Sequence, residues 1–256
     1  MQLIDTHSHL FTDEFTHDRS EAIARAKDAG VSGIILPNID CGSIQSLLNT
    51  AAENVGYCYP CLGLHPTSVK ANYQDDLKCI EEEFKKNRYF AIGEIGIDLY
   101  WDTTFINEQT EVFRYQLKLA KKYGLPVIIH SRNSFNEIFS VVDQEIDQNL
   151  KGVFHSFTGG IYEYNHIMSY KTFYVGIGGV VTYKNGGVDK VLKNMDLSRI
   201  VLETDSPYLS PVPLRGKRNE SANLPIIAQK IADSFEVSIE QVAKATTQNA
   251  KQLFDI

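Results

Sequence analysis

Several features that would assign a role quickly are missing from this chain of 256 residues. No apolar run approaches the ~20 residues that cross a bilayer. The start of the chain has neither the basic segment nor the apolar core of a secretory leader, so a cytoplasmic protein with no membrane contact is expected. No linker or low-complexity stretch interrupts it, which points to one domain over residues 1–256. No Gly-x-Gly-x-x-Gly turn follows the first strand-like segment, so the signal for a dinucleotide site is lacking. The glycine-rich stretch from Gly176 to Gly187 lacks the Lys-Ser/Thr ending of a phosphate loop and reads as a close-packed strand end. Positive charge is also scarce: 25 Lys and Arg stand against 32 Asp and Glu, a net charge of −7. A broad basic surface for coating long duplexes is thereby excluded. A pocket that takes a phosphate end is not, because bound metal ions bring their own positive charge.

Cysteine is sparse as well, with Cys41, Cys58, Cys61 and Cys79 the only four. Cys58-Tyr-Pro-Cys61 has the C-x-x-C spacing of zinc or redox sites. It lies in a strand-like stretch, where residues three apart face opposite sides, and no second pair completes a zinc site. They read as buried structural thiols.

What the chain does have is alternation. Short apolar runs at Leu3–His9, Gly33–Asn38, Tyr57–Gly63, Phe90–Gly96, Pro126–His130, Gly152–Phe157, Thr172–Gly178 and Ile200–Asp205 read as eight strands. Most are continuously apolar, as parallel strands covered on both faces are. Amphipathic segments lie between them. Asp18-Arg-Ser-Glu21 resembles a capping box opening a helix that stops at Gly30. Glu108 to Tyr123 places Val112, Tyr115, Leu119 and Tyr123 on one stripe before Gly124 and Pro126. A helix at Leu224–Phe235 and a pair of C-terminal helices follow, the first of that pair opened by Ser238-Ile-Glu-Gln241. Eight strand–helix units in about 250 residues predict an α/β fold of the (β/α)8 TIM-barrel type, somewhat distorted, with a doubly wound open sheet as the alternative.

The polar residues fall at one place in that pattern. His7 and His9 close the first strand, two residues apart and hence on one face, with Asp5 behind them as support. Glu94 stands near the end of strand four, His130 ends strand five, His155 comes late in strand six and Asp205 ends strand eight. In a barrel the C-terminal strand ends converge, so these six would meet in one mouth. Taken singly, a histidine closing an apolar strand is ordinarily a hydrogen-bonded structural residue, and an acid there a helix cap. Four imidazoles and two carboxylates together exceed what one divalent ion needs and suit two. The natural substrate is then a phosphodiester or another hydrolysable ester. His65, Glu203, Arg132, Lys217 and Arg218 form a second tier for proton transfer or phosphate contact. His17 and His166 read as surface residues.

Seven stretches together resemble the TatD family of metal-dependent deoxyribonucleases, within the amidohydrolase-like barrels. They are Asp5-Thr-His-Ser-His9, Gly63-Leu-His-Pro66, Ala91 to Asp98, Leu125 to Arg132, Gly152 to Gly159, Leu202 to Leu209 and Arg218-Asn-Glu220. The resemblance implies two divalent ions (zinc, manganese or magnesium) on His7, His9, Glu94, His130, His155 and Asp205, with Glu94 bridging. It implies Asp205, Glu203 and His65 as catalytic groups, and His65, Arg132 and Arg218 as substrate contacts. Ser221 stands where the family usually has proline, so the loop there departs from the family pattern. The implied activity is hydrolysis of DNA phosphodiester bonds, as a 3′–5′ exonuclease on single strands, by a water that two ions activate. The same site would suit an ester hydrolase acting on D-aminoacyl-tRNA, or on a small ester or lactone. A third possibility is a barrel that binds metal without turnover, against which stands the closed four-ligand form of structural zinc sites. A monomer acting on nucleic-acid ends is the expectation.

Overall fold

In the computed structural model, which describes residues 1–256, eight parallel strands alternate with helices around a ring. The first half runs β1 (Leu3–Asp5), α1 (Arg19–Asp28), β2 (Val31–Leu36), α2 (Ile44–Glu53), β3 (Cys58–Pro60), α3 (Tyr73–Phe84), β4 (Ile92–Asp98) and α4 (Ile106–Tyr123). The second runs β5 (Val127–Arg132), α5 (Phe135–Glu145), β6 (Gly152–Phe154), α6 (Ile161–Ser169), β7 (Phe173–Ile177), α7 (Val188–Leu192), β8 (Ile200–Leu202), α8 (Leu224–Phe235) and α9 (Ile239–Phe254). β1–β2–β3 and β4 to β8 form two continuous ladders. A parallel bridge at Leu62–Ile92 joins them on one side and another at Ser8–Ser206 on the other.

The ring is also visible in its filling. One small apolar cluster takes Ile4, Ile35, Cys61, Ala91, Ile128, Val153, Tyr174 and Val201, one residue from each of the eight strand positions. Ala250, Leu253 and Phe254 of α9 join it and plug the ring from below. A larger cluster of 55 residues fills the space between strands and helices. Cys58 belongs to this outer cluster and Cys61 to the inner one, so the C-x-x-C pair faces opposite ways. All four cysteines are free, with Cys41 and Cys79 half-buried.

Several local expectations need correction. The ladders stop earlier than the apolar runs do: His7 and His9 lie beyond β1, His155 beyond β6 and Asp205 beyond β8. The chain leaves the ladder at Ser156 (φ +45°) and Asp205 (φ +56°), where left-handed backbone turns it across the mouth. The C-terminal pair of helices is one continuous helix, α9, whose capping box does form: Gln241 N donates to Ser238 Oγ, and Ser238 N to Gln241 Oε1. In α4 the buried face runs through Phe113, Gln116, Leu117 and Ala120 as well as Val112 and Leu119, while Tyr123 is exposed.

The expected capping box at Asp18 is absent, because the carboxylate is engaged elsewhere. Arg218 donates to both its oxygens at 2.7 and 2.6 Å, and Arg25 adds a bond at 3.0 Å. Arg25 in turn grips Glu220. This four-residue network ties α1 to the long loop after β8. The Arg218 and Arg25 guanidinium groups hold the Asp18 carboxyl well below its ordinary value of 3.8, against a smaller effect of burial. A depressed acid stabilises the fold above its unfolded value and loses that contribution as pH falls towards the folded one. Asp18→Asn should therefore cost about 1 kcal/mol near neutrality, the upper end for partly exposed ion pairs. Thermal unfolding at several pH values should show the gap to wild type shrinking below pH 3.8; a gap independent of pH would contradict the role given to this network.

Candidate metal centre

Two glycines let the strands bring their acids together. Gly96 sits in β4 at φ +145°, where a Cβ would overlap the carbonyl oxygen of His130. Only glycine allows β4 and β5 this approach. Glu94 and Asp98, two residues on either side of Gly96, both reach His130 of β5. Gly176 of β7 does the same for Glu203, whose carboxyl occupies the space a Cβ would need.

Glu94 is the centre of the arrangement and only 2% exposed. Its Oε2 lies 3.1 Å from His7 Nε2 and 3.5 Å from His9 Nε2. Those two nitrogens are 3.2 Å apart, and Asp205 Oδ1 is 3.7 Å from each. Its Oε1 faces a second set, 2.8 Å from His130 Nδ1 and 2.7 Å from His155 Nε2, with these nitrogens 3.3 Å apart. Two ligands on a tetrahedral ion with bonds of ~2.0–2.1 Å stand about 3.3–3.4 Å apart. The nitrogen pairs, 3.2 Å apart in the first set and 3.3 Å in the second, match that spacing, and each has a Glu94 oxygen within 3.5 Å, so the residues suit one divalent ion on each side of Glu94. Two further close groups share these residues: His65 with Glu94 and His130, and His7 with His155 and Glu203, the latter leaving Glu94 out.

Around these donors stand groups that fix them. Asp98 Oδ2 is 2.9 Å from His130 Nε2 and accepts its hydrogen, leaving Nδ1 turned to Glu94. This carboxylate–histidine pairing is how ligating imidazoles are generally oriented. Asp5 is fully buried and accepts hydrogen bonds from His7 N, Thr204 N and Thr204 Oγ1. It clips the end of β1 to the end of β8, the supporting part expected of it, and burial pushes its carboxyl up to about 6. Asn219 is buried too, and its amide donates to Thr204 O and Tyr208 O on either side of Asp205.

The charges follow from this crowding. Burial opposes ionisation of Glu94, but His155, His65, His7 and His130 hold its carboxyl well below the ordinary range. Burial and the neighbouring His155 keep His7 neutral. Burial also resists protonation of His130 and His155, yet Asp98 and Glu94 raise the first and Glu94 the second.

Above the donors opens a cavity of about 610 Å³ whose lining includes His9, His65, Glu94, His130, His155 and Asp205. His65 Nδ1 accepts from Thr67 N, which leaves its Nε2–H facing Glu94 Oε1 at 3.3 Å. Arg132 lines the cavity, together with Thr67, Ser131, Ser156 and Thr158. One expected catalytic group and one expected substrate contact lie outside the cavity lining. Glu203 is wholly buried behind His155 and takes the amide of Ser156. Arg218 is held on Asp18 and the carbonyl of Glu14, outside the cavity lining. His17 is exposed, whereas His166 stacks on Phe139 and pairs with Asp143.

A TIM-type barrel with histidines and acids at its mouth occurs in many hydrolases; the chain-wide match is what separates them. A model of the family described as TatD related DNase matches residues 4–255. The chain belongs to the TatD-related DNase family. A relative in Bacillus subtilis (strain 168), described as the uncharacterized metal-dependent hydrolase YabD, is 37% identical over 255 residues and 99% of each chain. A Pantoea ananatis (strain LMG 20103) protein named 3′-5′ ssDNA/RNA exonuclease TatD is 29% identical over 260 residues, 99% of this chain and 100% of its own. The crystal structure of YjjV, a TatD homologue from Escherichia coli K12, matches with a TM-score of 0.93 at 28% identity, over 99% of this chain and 98% of that one. This TatD-family chain is a metal-dependent hydrolase acting on ester bonds. No helix in it is long and apolar enough to cross a membrane.

Two groups around the centre escaped the sequence reading. Asp98 carried a signal: it is four residues past Glu94 in a strand and so shares its face. Asn219 lies between Arg218 and Glu220 with no periodicity to mark it. Asp98→Ala should lower affinity for a divalent ion by about 10- to 100-fold, since His130 loses its orienting partner. Competition with a chromogenic chelator measures this, and an unchanged affinity would remove Asp98 from the site.

Proposed function

We propose that the chain is a nuclease that hydrolyses phosphodiester bonds of DNA, removing nucleotides from the 3′ end of single strands. The observation that carries the reading is the division of Glu94, one oxygen to each of two donor sets. His7, His9 and Asp205 with Oε2 would hold one ion, and His130 and His155 with Oε1 the other. When bound, two such ions supply charge for both oxygens of a displacement and lower the pKa of water. A donor set of four imidazoles and two carboxylates favours zinc or manganese over magnesium.

The chain's own residues supply the rest. Asp205 lines the cavity, where its carboxylate would take a proton from the attacking water. His65, kept neutral mainly by burial, lines the same cavity and has its Nε2–H available as a donor to a leaving oxygen. Glu203 is pushed up to about 8 by burial, against the pull of His155, and serves behind His155 as a proton reserve and brace. Arg132 and the hydroxyls of Ser131, Ser156 and Thr158 are placed to bind phosphate oxygens. Nucleic acid is the substrate supported by the relatives named as ssDNA/RNA exonucleases.

Digestion of 3′-labelled single-stranded DNA tests this reading. Mononucleotides should be released with manganese or zinc and not with chelator present. Glu94→Gln should slow release on the order of 10³-fold, about 4 kcal/mol of barrier. No metal-dependent release would overturn the nuclease reading, and wild-type rates in Glu94→Gln would overturn the bridging role.

A further inference from the structure

Trp101 is the only tryptophan of the chain, and it is 69% exposed beside Tyr100, itself 53% exposed. Large rings left in water mark a surface that a ligand covers. These two are not loosely displayed. Tyr100 N and Trp101 N both donate to Asp98 Oδ1, at 2.9 and 3.3 Å. The other oxygen of the same carboxylate holds His130. The Arg132 guanidinium lies 3.8 Å from the centroid of Tyr100 and 5.2 Å from that of Trp101. The two rings stand perpendicular, 4.9 Å apart. Trp101 and Arg132 both line the cavity that opens over Glu94.

We propose that Tyr100 and Trp101, braced by Arg132, form a stacking platform for the nucleobase of the terminal nucleotide. The proposal deepens the nuclease reading and rests on it. A flat unsaturated ring suits the exposed indole, while Arg132 beside it offers charge to the attached phosphate. An aliphatic ester would cover the indole but leave Arg132 without an anion. Asp98 gives the platform its register: one carboxylate fixes both the turn that carries the rings and the imidazole that faces Glu94. The base is therefore held at a set distance from the reacting phosphorus, and the terminal nucleotide is recognised whatever its sequence, since every base has a π-face.

The test uses the full chain and two single strands of equal length, one of thymidine nucleotides throughout and one with an abasic 3′-terminal residue. Fluorescence of the single indole reports the platform directly. In chelator, which stops turnover, the all-thymidine strand should quench Trp101 saturably, and the abasic-ended strand should do so at several-fold higher concentration. Quenching that is equal for both strands, or absent for both, overturns the platform. With manganese, wild type should prefer the base-bearing end in kcat/KM by on the order of tenfold. Trp101→Ala should reduce that preference to within about twofold, and Trp101→Phe should keep most of it. A preference retained in Trp101→Ala also overturns the platform. Should wild type release nucleotides from neither strand, the nuclease reading falls, and the fluorescence titration still decides whether the rings bind a base.

Discussion

A carboxylate buried at the mouth of the barrel must have positive charge beside both its oxygens. Glu94 is 2% exposed, and an isolated charge in such a place would be neutralised rather than tolerated. Its two oxygens face different directions, and each meets its own imidazole nitrogens within about 3.5 Å. That single requirement explains why residues from so many strand ends converge here. The same carboxylate raises the His155 imidazole and, together with Asp98, that of His130.

Meeting the requirement shapes the scaffold beneath it. Gly96 and Gly176 remove side chains where β4 and β7 must admit neighbouring carbonyl and carboxyl groups. Asp5 closes the ring by tying His7 to Thr204, and Asn219 holds the loop on either side of Asp205. Further out, the Asp18, Arg25, Arg218 and Glu220 network fastens that loop to α1. Each layer fixes the one inside it, as a site that must hold donors a few ångströms apart requires.

Much of this was legible because a barrel has a simple relation between sequence and space. Eight apolar runs, five of them carrying acid or imidazole at or near their C-terminal ends, predict convergence, and the structure places His7, His9, Glu94, His130, His155 and Asp205 together. Strand ends were less legible: the apolar runs continue past the ladders because residues beyond them, such as Phe157 packed in the layer between strands and helices, are as buried as the strands. Arg218 and Asp18 show the other limit. Charge in a loop suggests a substrate contact, and a helix-initiating acid suggests a cap, but the two satisfy each other across the fold. Only tertiary structure pairs residues 200 positions apart. Asn219 was invisible for the same reason, since its bonds run to backbone carbonyls that carry no sequence signal.

The account depends on Glu94 standing between two ions, and anomalous diffraction from crystals grown with manganese or zinc tests that most directly. The account predicts two anomalous peaks, one among His7, His9, Asp205 and Oε2 of Glu94, the other among His130, His155 and Oε1. A single peak, or two peaks that do not share Glu94, would contradict it.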